Sequence, residues 1–227
     1  MRSTATSSYG IVFDLDGTLV DSRRDIARAC NQMLESCGRG PLPVETISGF
    51  VGDGARPLVV RALQAAELST SDAEVERALQ LFLDHYAADP TGNTALMPGA
   101  REALDALADV PLALCTNKSR RTTLPVLEGL DLARYFPEIV CGDDLPRNKP
   151  DPLPLIHLGE RLGLAPGALV MVGDGPQDVE CGRAAGAYTV GVKGGVLPLE
   201  RLLAARPDRL LDTLHELPEL VRQAPWR

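Results

Sequence analysis

Two aspartates one residue apart close an apolar run near the amino end, in the stretch Ile11-Val12-Phe13-Asp14-Leu15-Asp16-Gly17-Thr18. Side chains two apart in a strand project the same way, so Asp14 and Asp16 would enter one pocket as the chain leaves a sheet. Two close carboxylates repel unless a divalent cation sits between them or one keeps a proton. Both outcomes suit acid/base and metal chemistry, and this stretch alone does not choose between them.

Later apolar runs end in a similar way. Thr116-Asn117-Lys118 closes one, Cys141-Gly142-Asp143-Asp144 with Lys149 soon after closes another, and a third leads into Asp174 and Asp178. Acids, a hydroxyl and a lysine would converge on one sheet edge. Such a set suits phosphoryl transfer, in which charge on three equatorial oxygens must be neutralised by a metal, a cation and hydrogen-bond donors. Position suggests the roles. Asp14, nearest the sheet and best held, would be the nucleophile, and Asp174 would complete an oxygen-rich Mg²⁺ site with it. Lys149 would add a positive charge and Thr116 a hydroxyl donor.

The elements that must hold these residues follow from periodicity. Helices at 100–108, 119–129, 152–162 and 176–185 precede strands at 111–116, 139–142, 169–173 and 188–192, respectively. Repeated β-α units predict a Rossmann-like α/β core, a parallel sheet with helices on both faces, and the strand ending at Asp14 must join it. Residues 20 to 88 are helical instead. Ser22 would cap a helix with apolar positions Ile26, Cys30, Met33 and Cys37, closed by Gly38 and Gly40. A glycine loop, Gly49 to Gly54, leads to a helix near 56–67, and Ser71 with Glu74 signals a third with the stripe Val75, Leu79, Phe82 and Tyr86. The expected organisation is therefore a core of residues 1–19 and 90–227 with residues 20–89 inserted, meeting at the strand carboxyl ends where open α/β sheets place ligands. A short helix near Leu199, a last strand at 209–211 and a terminal helix complete the pattern.

Composition limits the function. The chain has 227 residues, 44% of them apolar, and a formal charge of -8 with no basic block, which argues against a nucleic-acid or acidic-membrane surface. Residues 1 to 8 are Ser/Thr-rich and lack the apolar stretch of a signal peptide, no run is long enough to span a membrane, and the expected location is the cytoplasm. The five cysteines are scattered without metal-ligand spacing, so they are expected to pack as small hydrophobes. His85, His157 and His215 fall in predicted helices away from the acids and are expected to be surface or packing residues.

The four motifs together resemble those of the haloacid dehalogenase-superfamily phosphatases. Asp14-Leu15-Asp16-Gly17-Thr18 is similar to the first motif, Thr116 to the second, Lys149 to the third, and Gly173-Asp174 with Asp178 to the fourth, in the right order across nearly the whole chain. The resemblance implies that residues 20–89 form a helical-bundle cap. It also implies that Asp14 attacks phosphorus, and that Mg²⁺ is held by the carboxylates of Asp14 and Asp174 and the backbone carbonyl of Asp16, with Asp178 facing the same site. Asp16 would protonate the leaving alcohol and then activate water on the aspartyl phosphate. One position departs from the pattern: many relatives carry Ser or Thr after the motif-four aspartate, where this chain has Gly175-Pro176.

Within the family the likeness is to the phosphoglycolate phosphatases. Val51-Gly52-Asp53-Gly54-Ala55-Arg56 resembles their cap specificity loop, and the neighbourhoods of Thr116 and Lys149 are similar too. The expected substrate is a small phosphorylated metabolite, best 2-phosphoglycolate, with Thr18, Gly52, Arg56 and Asn117 as binding residues and Arg56 holding its carboxylate. Another small phosphate ester, pyrophosphate, a phosphomutase reaction, or a non-catalytic phospho-receiver are the alternatives, and the chain would be a monomer or homodimer. Lys149 and Mg²⁺ are expected to lower the pKa of Asp14, while Asp16, near other carboxylates, would hold a proton more easily.

Overall fold

The computed structural model describes residues 8–226, so the expectation for the Ser/Thr-rich amino end lies, apart from Ser8, outside the described residues. The first strand, β1 (Gly10–Phe13), is buried at every position. After it come a two-residue strand β2 (Val20–Asp21) and four helices, α1 (Arg23–Ser36), α2 (Val44–Ser48), α3 (Ala55–Ala65) and α4 (Asp72–Ala88). The chain returns through β3 (Ala95–Leu96) and then alternates: α5 (Ala100–Ala106), β4 (Leu112–Cys115), α6 (Arg120–Gly129), β5 (Glu138–Val140), α7 (Leu153–Leu162), β6 (Leu169–Gly173), α8 (Pro176–Ala185), β7 (Tyr188–Val192), α9 (Leu199–Ala205), β8 (Arg209–Leu211) and α10 (Leu217–Gln223).

The sheet runs β5-β4-β1-β6-β7-β8, and every neighbouring pair in it is parallel. The nucleophile-bearing strand is therefore central. Alternation along β1 sends Ile11 and Phe13 into a core shared with α1 to α6, while Val12 joins a second cluster with Cys115, Leu155, Leu158, Met171 and Cys181 on the other face. Each such fully buried aliphatic side chain contributes about 1.5–3 kcal/mol. All five cysteines are free thiols and four are buried, in line with packing. Among the described residues no helix is long and apolar enough to cross a membrane.

The helical segment leaves and re-enters the core side by side. β2 and β3 pair antiparallel, Val20 with Leu96 and Asp21 with Ala95. Beside this ribbon Asp25 of α1 is fully buried and accepts hydrogen bonds from Asn93 N, Asn93 Nδ2 and Thr94 Oγ1. Burial opposes its charge, but these donors and Arg28 outweigh it and hold the carboxyl below its usual range. Two-residue strands and the five-residue α2 are too short to show periodicity, and the sequence analysis did not include them. It also assigned Ser22 to the cap of α1. The Ser22 side chain makes no capping bond and turns inward to Asp16 instead.

Candidate active site

Asp14, Thr116 and Asp174 are each the first residue past a strand, and the strands β1, β4 and β6 are adjacent. The parallel sheet thus delivers a carboxylate, a hydroxyl and a second carboxylate to one edge. The backbone of Asp14 is held by a hydrogen bond from its N–H to Val172 O (2.9 Å), and that of Thr116 by one from its N–H to Val140 O (3.0 Å). Lys149 enters from the loop between β5 and α7, and Asp178 from the first turn of α8.

Lys149 is locked. Its ammonium donates to Asp14 Oδ1 (2.8 Å), Asp178 Oδ1 (2.6 Å) and Cys115 O (2.7 Å), which uses all three donors. Burial alone would favour the neutral amine, yet Asp14 and Asp178 outweigh it and hold the Lys149 pKa well above its usual value. Lys149 therefore contributes a fixed positive charge to the cluster. Asp174 accepts from Thr18 Oγ1 (3.1 Å) and Val196 N (2.9 Å). Gly17 has φ +90, and a Cβ there would lie 2.4 Å from Asp174 Oδ2, so only glycine lets the turn after the first motif pass the fourth.

Ligand oxygens of Asp14, Asp174 and Asp178 lie within 4.8 Å of one another. Three carboxylates against one ammonium leave two negative charges when all ionise, the charge that one divalent cation balances. The strain of that excess is visible in the protein alone. Burial, and then the balance of Lys149 against Asp178 and Asp16, raises Asp14 to about 7. Burial together with Asp14 and Asp178 raises Asp174 to about 8. These values are those of the metal-free protein, in which desolvation exceeds what Lys149 supplies; the lowering expected for Asp14 is one with Mg²⁺ beside it. A buried, oxygen-only, overcharged set is the donor chemistry that hard divalent cations select.

Asp16 has another environment. It accepts from Ser22 Oγ (2.5 Å), and Lys118 Nζ sits 3.3 Å from both of its oxygens. Its neighbours are thus a hydroxyl and an ammonium, where the sequence analysis expected carboxylates. The Lys118 ammonium also lies 4.1 Å from the centroid of the Tyr86 ring. A cavity of ≈ 50 Å³ opens over the cluster, lined by Asp14, Asp16, Thr116 and Asp174 below and by Val51, Gly52, Leu58, Phe82 and Tyr86 of the helical segment above.

The comparisons with known proteins agree with this geometry. The family model of the haloacid dehalogenase-like hydrolases matches residues 11–192. The chain belongs to the haloacid dehalogenase-like hydrolases. It is 40% identical over 215 residues to the phosphoglycolate phosphatase of Chromobacterium violaceum, covering 93% of this chain and 96% of that protein. The phosphoglycolate phosphatase of Nitrosospira multiformis is 36% identical over 217 residues, 94% of this chain and 96% of that one. Among solved structures, a predicted phosphoglycolate phosphatase from Haemophilus somnus superposes with a TM-score of 0.88 at 28% identity, covering 95% of this chain and 99% of the other.

In this haloacid dehalogenase-like hydrolase several residues sit differently from their expected places. Arg56 does not line the cavity; it is on the surface, paired with Glu76 and with Asp72 (3.3 Å). Thr18 is fully buried, donates its hydroxyl to Asp174 and does not line the cavity. Asn117 lines the cavity, but its Nδ2 donates to Gly52 O and Lys149 O, both 2.9 Å, and clasps two loops together. Gly52 lines the cavity through that loop. Asp178 lies behind Lys149, with Oδ2 accepting from Gly175 N (3.0 Å), and does not line the cavity. At Gly175, the departure from the fourth motif, a Cβ would meet the terminal amide of Gln177 at 2.3 Å, so a larger residue there requires that flexible side chain to move. Lys118, Ser22, Tyr86 and Gln177 were not singled out in advance. Lys118 carried a signal, since its two-residue spacing from Thr116 repeats that of Asp14 and Asp16.

Proposed function

We propose that the protein is a divalent-cation-dependent phosphomonoesterase that converts 2-phosphoglycolate to glycolate through an aspartyl phosphate on Asp14. The observation that carries this reading is the buried cluster of Asp14, Asp174 and Asp178 around Lys149, overcharged by two, at the floor of a small cavity. The names of the relatives support the substrate, and the cavity suits a compact one. Residues 20–89 act as a cap over the core formed by residues 1–19 and 90–227.

Asp14 and Asp174, on the cavity side, would hold Mg²⁺, which would supply Lewis-acid neutralisation of phosphoryl oxygens. Asp14 attacks phosphorus through a carboxylate oxygen while the bond from phosphorus to the glycolate oxygen breaks. Asp16 delivers its proton to that oxygen. Asp16 then takes a proton from water as the water oxygen bonds to phosphorus, and the bond from phosphorus to Asp14 breaks to release inorganic phosphate. Lys149 holds Asp14 in place, and Thr116 faces the transferring group. Phosphate release from 2-phosphoglycolate with Mg²⁺, and its loss with EDTA, is the expected result; absence of turnover together with a stable phosphorylated protein would favour a receiver.

The division of labour between the two first-motif acids is separately testable. Asp16→Asn removes the base of the second half-reaction, so the phosphorylated protein is expected to build up and be seen by intact-mass measurement. Turnover equal to wild type by this variant refutes the role.

The raised carboxyls also set how metal binding depends on pH. Asp14 and Asp174, raised from 3.8 to about 7 and about 8, keep protons in the folded metal-free state that the unfolded chain has released. Stability of the metal-free protein therefore falls as pH rises from about 4 to about 8. A cation that replaces those protons restores it. The rise in Tm on adding MgCl₂ over EDTA is expected to be larger at pH 8 than at pH 5.5, and a rise independent of pH would place the cation elsewhere.

A further inference from the structure

The expected anchor for the substrate carboxylate, Arg56, is on the surface, which leaves the question of what takes its place. Among the described residues that line the cavity, Lys118 is the one cation; Asp14, Asp16 and Asp174 are acids, and most of the roof is apolar. A dianionic phosphate with a second anionic group would meet repulsion from these acids everywhere except at the metal and at Lys118.

Lys118 is also held in a way that leaves it available. Its side chain is 8% exposed, and its two contacts to Asp16 are both 3.3 Å, long beside the 2.6–2.8 Å bonds of Lys149. Asp16 does not depend on it, because Ser22 Oγ holds the same carboxylate at 2.5 Å. The third side of the ammonium rests on the Tyr86 ring, which fixes its height in the cavity. Tyr86 is itself fully buried, and its hydroxyl interacts with the Lys118 ammonium without reaching the geometry of a regular hydrogen bond. A buried hydroxyl so poorly partnered is costly, and a ligand oxygen shared with Lys118 would satisfy it. Gly54 and Ala55 bring the amino end of the eleven-residue α3 to the same cavity, adding the positive end of a helix dipole.

Resting on the phosphatase reading above, we propose that Lys118 is the specificity residue of the site. Its ammonium, with the Tyr86 hydroxyl beside it, binds the carboxylate of a short 2-phospho-carboxylic acid while the phosphoryl group lies over Asp14. The cap would then recognise its substrate through a residue of the core, with Tyr86 of α4 as the cap's own contribution.

The test compares 2-phosphoglycolate with ethyl phosphate, which has the same phosphate ester and no carboxylate. Wild type is expected to favour 2-phosphoglycolate in kcat/KM. In Lys118→Met that preference is expected to fall by roughly 10²-fold, chiefly through KM, because one partner of a buried charge pair has been removed. Lys118→Gln, which keeps a hydrogen-bond donor without the charge on a side chain one atom shorter, serves if the Met variant does not fold, and Tyr86→Phe is expected to lower the preference by a smaller factor. An equal fall for both substrates means that Lys118 acts only through Asp16 and overturns the proposal. A wild type that hydrolyses ethyl phosphate at least as well as 2-phosphoglycolate overturns the substrate reading and the proposal with it. A wild type that turns over 2-phosphoglycolate selectively, with selectivity unchanged in either Lys118 variant, overturns the proposal alone.

Discussion

Asp14→Asn is expected to abolish phosphate release, by at least about 10⁴-fold in kcat, since removal of a covalent nucleophile leaves only binding and electrostatic contributions. The substitution keeps the shape and the acceptor that Lys149 uses, so the fold should survive. It also removes one of the three acids whose burial and mutual repulsion raise Asp14 to about 7 and Asp174 to about 8. The metal-free variant is thus expected to be at least as stable as wild type at pH 8, where the excess charge costs most, and to bind Mg²⁺ more weakly. Calorimetry and a phosphate-release assay on the same preparation check both halves. An inactive variant that is also strongly destabilised at pH 8 would mean that Asp14 holds the fold together, which its environment contradicts.

Lys149→Met should have the opposite signature. Lys149 is buried and bonded to Asp14, Asp178 and Cys115 O, and its loss leaves two buried carboxylates without a counter-charge. Breaking a buried pair from one side typically costs about 3–5 kcal/mol. The sign of its pH dependence follows from linkage. With the ammonium gone, Asp14 loses the charge that lowers its pKa and holds its proton to higher pH in the folded state, so the extra loss of stability is small at low pH and grows as pH rises. The Tm difference from wild type is expected to be larger at pH 8 than at pH 5, and adding Asp178→Asn to Lys149→Met should recover part of it. Activity is expected to fall by about 10²–10³-fold even where the variant is folded, the usual effect of losing one preorganised charge from a reacting centre. A pH-independent Tm difference would show that packing of the lysine stem, and not charge, matters there.

Much of the core was legible because short apolar runs bounded by helices encode it directly. β6, α8, β7 and β8 fall where periodicity places them. The residues that terminate β1, β4 and β6 were legible for the same reason, since a strand end in a parallel sheet determines where its next side chain goes. Partner choice was not legible. Thr18 could have turned to Asp16 as easily as to Asp174, and only the sheet order, which sets β6 beside β1, decides it. Arg56 has the reach for the cavity, yet Asp72 and Glu76 of the next helix are nearer to it. How completely the Asp14–Lys149 pair is buried, and so how far desolvation raises Asp14 when no cation is bound, was not legible either. Tyr86 looked like one more apolar residue on a helical stripe, and its place beside Lys118 depends on how α4 crosses the sheet edge.

The position of β1 between β4 and β6 ties the reacting group to the slowest motions of the molecule. Main-chain movement at Asp14 requires both ladders to part together, and amides from Ile11 to Asp14 would exchange with solvent only through global unfolding. The helical segment, by contrast, meets the core through two chain crossings, the two-residue ribbon, apolar packing shared with Ile11 and Phe13, and side-chain bonds such as the clasp from Asn117 to Gly52. Any breathing that admits a substrate and releases phosphate falls on those contacts, while the backbone of Asp14 stays still.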